Sequence, residues 1–293
     1  MLSKIKSIIS EILSDEDPIK KRLKEVNELA RNFKDIPDVR RERLLTKCTS
    51  DLNPQIKTLA SDILRHNFDS ISENTRNKLM DKLGNDAEIP AGRTYISSTL
   101  QLHFNKVPED IREKLLIIFS GDDMLGARYD CATMVFQHFS DISKAVRDEI
   151  IDKLSSDADH SVRERMSEAW RDNFNELPWG VQKRLIKTFY EDHDEDIRND
   201  VARAILDNFD TINKKTAEIY LNKLAGDHYV EIKITVARTL SWHFKKISYE
   251  TREKILRKFV NETDPRIKEF IDETFSKYRN EISDDIRSLY GKK

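Results

Sequence analysis

The sequence predicts an all-α chain, an α-solenoid of about eight antiparallel helix pairs, on three observations. An aromatic and an aliphatic three residues later return at a period of 35 or 36; each interval holds two one-faced amphipathic stretches; and every proline falls at a boundary between them. A fixed period of this length is the signature of stacked repeats, since one pair cannot bury its apolar face alone.

The aromatic stands at Phe33, Phe68, Phe104, Phe139, Phe174, Phe209 and Phe244, and the aliphatic at Ile36, Ile71, Val107, Ile142, Leu177, Ile212, Ile247 and Ile282. The next residue is Pro37, Ser72, Pro108, Ser143, Pro178, Asn213, Ser248 or Ser283, types that start helices by capping first-turn amides or by lacking the amide altogether. The first helix of each pair is then read from clusters such as Leu79, Met80 and Leu83, or Ile255, Leu256 and Phe259. A polar break follows with an acid and, six residues on, a base: Asp51 and Lys57, Asp122 and Arg128, Asp157 and Arg163, Asp192 and Arg198, Asp227 and Lys233, Glu262 and Lys268. In the third pair the gap is seven, from Asp86 to Arg93. The second helix repeats apolar residues every fourth position, as in Ile197, Val201, Ile205 and Phe209. Pro37, Pro108 and Pro178 open first helices, Pro18, Pro54, Pro90 and Pro265 belong to the turns before second helices, and Gly84, Gly121 and Gly226 mark where first helices end. No stretch shows strand alternation. The pairs are 1–36, 37–71, 72–107, 108–142, 143–177, 178–212, 213–247 and 248–282, with 283–293 a tail, in a single repeat domain spanning 1–293.

The 51 Lys and Arg against 53 Asp and Glu leave a net charge of -2, so no global positive field gathers nucleic acid or anionic lipid. Two widely separated cysteines, Cys48 and Cys131, exclude a disulfide framework and suit a reducing compartment. No apolar run approaches the ~20 residues that cross a bilayer, and lysines interrupt the apolar N-terminus. The expectation is a cytoplasmic protein.

An Asp followed by Ile/Val-Arg at the start of a second helix, as in Asp157 with Val162-Arg163 and Asp192 with Ile197-Arg198, resembles HEAT or HEAT-like (Armadillo-type) repeats over roughly 15–282. The resemblance implies a right-handed superhelix whose second helices line a concave, partner-binding face. It also implies that the basic column Arg22, Lys57, Arg93, Arg128, Arg163, Arg198, Lys233 and Lys268 is a structural Asp–Arg ladder between pairs rather than a phosphate track. Such a fold serves many roles, so function has to come from a site.

Chemistry-bearing residues mostly fall into structural columns. His103, His138 and His243 precede the signature Phe where other pairs have Asn32, Asn67, Asn173 and Asn208, which points to a directional hydrogen bond near a helix C-terminus. Cys48 and Cys131 sit in apolar columns, as core thiols. His160, His193 and His228 lie in successive turns among aspartates and are the candidate metal ligands, although capping alone favours acids there. No metal, cofactor or catalytic residue is expected. Gly121 and Gly126 mimic a phosphate loop but lack its Lys-Ser/Thr ending.

One region leaves the repeat average. Positions two, six, nine and thirteen after the column of Ile56 lie opposite the buried stripe, and in the fifth pair they carry Glu164, Glu168 and Arg171. In the third and fourth pairs they carry Thr94, Ser98 and Gln101, with Tyr95 and Leu102 beside them, then Tyr129, Thr133 and Phe136, with Gln137 adjacent. Between Ala87 and His103 the only charges are Glu88 and Arg93. A charge-poor surface of aromatics and neutral hydrogen-bonding groups has the chemistry of an interface core. Ile234, Leu206 and Trp242 extend the stripe. The extra residue and the Ile89-Pro90-Ala91-Gly92 stretch are expected to distort stacking there.

The expected function is a non-enzymatic scaffold holding a protein or peptide on the second-helix face around 94–137. The rivals are a nucleic-acid-binding protein similar to the HEAT-like DNA-alkylation-repair type, which neutral charge and acidic turns disfavour, and a HEAT-like module of the phycobilin-lyase kind.

Overall fold

A computed structural model describes residues 18–290, which form sixteen α-helices and no strand among the described residues. The first helix of pair 1–36 and residues 291–293 lie outside them. First helices are α2 (Asp38–Cys48), α4 (Glu73–Gly84), α6 (Glu109–Phe119), α8 (Lys144–Leu154), α10 (Trp179–Tyr190), α12 (Lys214–Leu224), α14 (Tyr249–Phe259) and α16 (Asp284–Tyr290). Second helices are α1 (Pro18–Arg31), α3 (Pro54–Asn67), α5 (Pro90–Leu102), α7 (Leu125–Gln137), α9 (His160–Asp172), α11 (Glu195–Asp207), α13 (Val230–His243) and α15 (Pro265–Tyr278). The chain is an all-α solenoid of helix pairs.

Compactness divides it into two units, 1–153 and 154–293. In the first, α1, α3, α5 and α7 stack in order and α2, α4 and α6 flank them. In the second, α9, α11, α13 and α15 stack likewise beside α12, α14 and α16. Second helices pack on one another more extensively than first helices do in both units.

Several boundaries differ from the expected ones for local reasons. Pro18, Pro54, Pro90 and Pro265 are the first residues of second helices rather than part of the turn, a position whose amide has no helical partner in any case. First helices do not end in a left-handed glycine, because no described residue has positive φ. Gly84 is instead needed for space, since a Cβ there would lie 2.3 Å from Leu115 Cδ2. The Ile89-Pro90-Ala91-Gly92 stretch tightens the stack instead of distorting it. Ile89 is buried, and a Cβ on Gly92 would meet Ile89 Cδ1 at 2.7 Å and Ser61 Oγ at 3.0 Å. The α3–α5 contact is accordingly the most extensive of the helix packings.

Ser72 and Ser248 make no side-chain cap bond to their own helices, whereas Ser283 Oγ accepts the Ile286 N–H at 3.4 Å, and all three share a further kind of partner with Ser143. Ser72, Ser143, Ser248 and Ser283 each donate the backbone N–H to a glutamate of the preceding pair, respectively Glu42, Glu113, Glu218 and Glu253. Ser72, Ser248 and Ser283 donate their hydroxyls to the same carboxylates. Where Pro108 or Pro178 precedes the helix, with nothing to donate, the corresponding residue of the preceding pair is Asn77, thirty-one residues earlier, or Asp148, thirty residues earlier, instead of Glu. Burial pushes Glu42 up, but the bonds from Thr75 and Ser72 outweigh it and hold its carboxyl below the ordinary glutamate range.

The signature Phe sits in a short 3-10 turn after most second helices, where it is buried. His103 stacks on Phe68 at 4.1 Å and 8°, and His138 on Phe104 at 4.1 Å and 6°. In the second unit His243 stacks on Phe209 and Tyr278 on Phe244. Arginines eight residues after the Phe lie over its ring, Arg76 at 4.8 Å from Phe68, Arg112 at 4.6 Å from Phe104 and Arg252 at 4.3 Å from Phe244. Each such ring is thus held between a guanidinium and the next pair's histidine or tyrosine. Asn67, Asn173 and Asn208 do make the expected C-terminal bond, donating from Nδ2 to the carbonyl four residues back. The three histidines use the same position for stacking.

Burial pushes His103 and His243 below the ordinary imidazole value of 6.5. A depressed histidine contributes stability that is full at higher pH and is lost as pH falls through 6.5 toward its folded pKa. Melting curves of the wild type are therefore expected to drop between pH 7 and pH 5.5, and those of His103→Tyr/His243→Tyr, which copies Tyr278, to be flatter there. Parallel curves would mean that the imidazoles carry no such load.

Candidate interaction surface

The basic column is a ladder in which six bases reach forward one pair. Arg22 bonds Asp51, Lys57 bonds Asp86 and Glu88, and Arg93 bonds Asp122 in the first unit. In the second, Arg163 bonds Asp192, Arg198 bonds Asp227 and Lys233 bonds Glu262. The acid of a base's own turn offers its backbone carbonyl, as Asp157 does to Arg163 at 2.9 Å and Asp192 to Arg198 at 3.0 Å. Burial pushes Asp192 and Asp227 up, yet the arginine bonds outweigh it and leave both below the usual carboxylate range. These cations are neutralised by pairing and do not form a phosphate track.

His160, His193 and His228 are exposed, and no group of three metal-binding side chains comes together among the described residues. The acids beside them are committed elsewhere: Asp159 and Asp194 cap α9 and α11, while Asp192 and Asp227 hold the ladder. Cys48 and Cys131 are buried; burial pushes the Cys48 thiol up to about 11 and raises Cys131 as well.

The nine candidate interface residues all lie on α5 and α7 of the first unit, which approach closely enough that a Cβ on Gly126 would sit 2.9 Å from Thr94 Cγ2. Leu102 is 71% exposed and Gln137 is exposed. Thr94, Tyr95, Ser98, Gln101, Tyr129 and Phe136 are half-buried. Thr133 is buried, and its Oγ1 has no hydrogen-bond partner among the described residues. The Arg65 guanidinium covers the Tyr95 ring at 5.1 Å. Of the residues expected to extend the stripe, Leu206 and Ile234 are buried, and Trp242 is 61% exposed on α13 of the second unit.

Two features escaped the sequence reading. Asp130 of α7 accepts hydrogen bonds through Oδ2 from Ser97 at 2.6 Å and Ser98 at 2.9 Å, so a carboxylate lies within the supposedly neutral surface. Burial pushes its carboxyl up from the ordinary range, against the two serine bonds. The signal was an Asp inside a helix where neighbouring pairs have Tyr95 and Arg165. The second feature is a groove of about 380 Å³ between the first helices α10 and α12, lined by Lys183, Lys187, Ile219 and Tyr220. Lys223 Nζ stands 4.9 Å from the rings of both Tyr190 and Tyr220. The lysines at 183, 187, 214, 215 and 223 are its trace in the sequence.

No protein-family model matches the chain, and no curated protein matches its sequence. Among solved structures, Cex1p superposes with a TM-score of 0.60 at 11% identity, over 97% of this chain and 57% of Cex1p. The chain thus spans little more than half the length of that protein. An engineered protein follows with a TM-score of 0.49 at 15% identity, covering 96% of this chain and 80% of that one. The Tumor Overexpressed Gene domain array of microtubule polymerases that recruit tubulin gives 0.39 at 12% identity, covering 93% and 77%. The likeness to Cex1p is one of fold.

Proposed function

We propose that this protein is a non-enzymatic, cytoplasmic scaffold of HEAT-like repeats, one domain in all, that holds a protein or peptide segment on the second-helix surface of α5 and α7. The observation that carries the reading is the character of that surface. Tyr95, Tyr129 and Phe136 are half-buried and Leu102 is exposed, on helices whose outward positions elsewhere carry ions such as Glu164 and Glu168. Aromatic anchors among hydrogen-bonding groups that are neutral but for Asp130 supply contact area while few charges have to be stripped of water. Asp–Arg pairing between turns supports the HEAT-like assignment.

A second reading, nucleic acid, is favoured by one observation only: the lysines and tyrosines of the α10–α12 groove, a combination suited to phosphates and stacked bases. One experiment separates the two. Affinity capture is performed with the wild type, with Tyr129→Ala/Phe136→Ala and with Lys183→Glu/Lys187→Glu, all matched for helicity and melting. A protein retained by the wild type and the lysine variant but lost, by tenfold or more, from the aromatic variant is the expected result. Nucleic acid retained in a manner that depends on the lysines would replace the first reading by the second.

A further inference from the structure

Asp130 has a near-copy seventy residues on, and the difference that matters between the two is a cation. At Asp200 of α11, Ser167 bonds Oδ2 at 2.8 Å while also lying 2.8 Å from the carbonyl of Glu164. At Asp130, Ser97 bonds Oδ2 at 2.6 Å and lies 2.9 Å from the carbonyl of Thr94. Asp200 is completed by Arg171, whose Nη1 donates to Oδ1 at 2.5 Å. The residue in the register of Arg171, twenty-nine before Asp130, is Gln101, and no cationic side chain pairs with Asp130 among the described residues. Ser98 adds a second bond to Oδ2, and Oδ1 accepts no hydrogen bond among the described residues.

Burial pushes both carboxyls up; at Asp200 the Arg171 guanidinium, a serine and the more distant Arg203 pull against it, at Asp130 only serines do. A partly buried carboxylate without a counter-ion is held at a cost, and a cation docking there offsets it. One helical turn along α7, Thr133 Oγ1 is a buried polar atom with no hydrogen-bond partner among the described residues, and Tyr95 and Tyr129 stand beside the carboxylate in the register.

We infer that Asp130 is the receptor for a basic side chain of the bound segment, which takes the place that Arg171 fills at Asp200. This rests on the reading of α5 and α7 as a peptide-binding surface and names the chemistry of its ligand: an arginine or lysine flanked by apolar residues. Arginine suits the site better, because its fork reaches Oδ1 with donors to spare for neighbouring carbonyls.

The test is a selection of random displayed peptides on the wild type, with Asp130→Asn, Gln101→Arg and Tyr129→Ala/Phe136→Ala as comparisons. The expected consensus carries a basic residue at one fixed position. Its peptides lose at least tenfold in affinity on Asp130→Asn and on Gln101→Arg, the latter supplying the missing guanidinium from within and melting above the wild type. Peptides that need Tyr129 and Phe136 but have no basic residue, or that ignore both Asp130→Asn and Gln101→Arg, overturn the proposal and leave the surface standing. If no peptide depends on those aromatics, the surface reading falls, and the Asp130 site is judged alone by N-acetyl-arginine amide. A shift of the Asp130 carboxyl carbon resonance with that probe, absent with the citrulline analogue, keeps the site; silence with both removes it.

Discussion

Trp170→Ala is expected to cost about 3–5 kcal/mol, the range for emptying a fully buried large aromatic site. Trp170 is 0% exposed, with Phe174 at 5.5 Å and Phe189 at 5.4 Å between ring centroids. It occupies a column that elsewhere holds Leu29, Leu64, Leu100, Val135, Ile205, Leu240 and Phe275, so the fifth pair is built around a larger side chain than its neighbours. The cavity left by alanine is therefore larger than one left in any other pair, and three helices of a stack have few ways to collapse into it. Trp170→Leu, which restores the column's usual residue, is expected to recover part of the loss but not all. Because each pair contacts only its neighbours, the damage should be local. Amide exchange ought to accelerate in α9, α10 and α11 before it does in α3 and α5, and uniform acceleration would show that the chain unfolds as one cooperative block.

Asp122→Ala is the second large effect, at about 3 kcal/mol. The Asp122 side chain is 1% exposed and grips Arg93 with both oxygens, Nε to Oδ2 at 2.5 Å and Nη2 to Oδ1 at 3.2 Å. Its Oδ1 also accepts the Met124 N–H at 2.8 Å, which shapes the turn into α7. Alanine leaves a buried guanidinium without its counter-ion and releases the turn. Asp122→Asn keeps the turn bond and loses the charge, so it should fall between. Arg22→Ala, at the exposed end of the same ladder with a side chain 37% accessible, is expected to cost at most about 1 kcal/mol. Thermal and denaturant unfolding of the three variants checks the gradient. Equal costs along the ladder would mean that position in the stack, and not burial, sets the strength of each rung.

Much of this was legible in the residues because repetition averages out local accident. Seven returns of Phe at one period determined the helix pairs, the apolar columns that became the core and the burial of Cys48 and Cys131. The ladder's residue types were legible too, and the resemblance implied that it runs between pairs, but its direction was not: stacking brings the following pair's Asp192 within 2.7 Å of Arg163. The same holds for the histidine column. Substitution by Asn pointed to a hydrogen bond, whereas the arriving Phe of the preceding pair turned His103 and His138 into stacking partners.

On the candidate surface, the sequence by itself determined that α5 and α7 depart from the charged outward face of the other pairs, since that is a matter of composition at a known helical position. Only the tertiary structure decided that Thr133 is buried, that Gly92 and Gly126 draw the second helices together, and that Asp130 has two serines and no cation while Asp200 has Arg171. The reason is that a helical period settles which side of its own helix a residue occupies. Its electrostatic partner is set by which residues of the next helix arrive opposite it, and that depends on the spacing and register of packing between pairs.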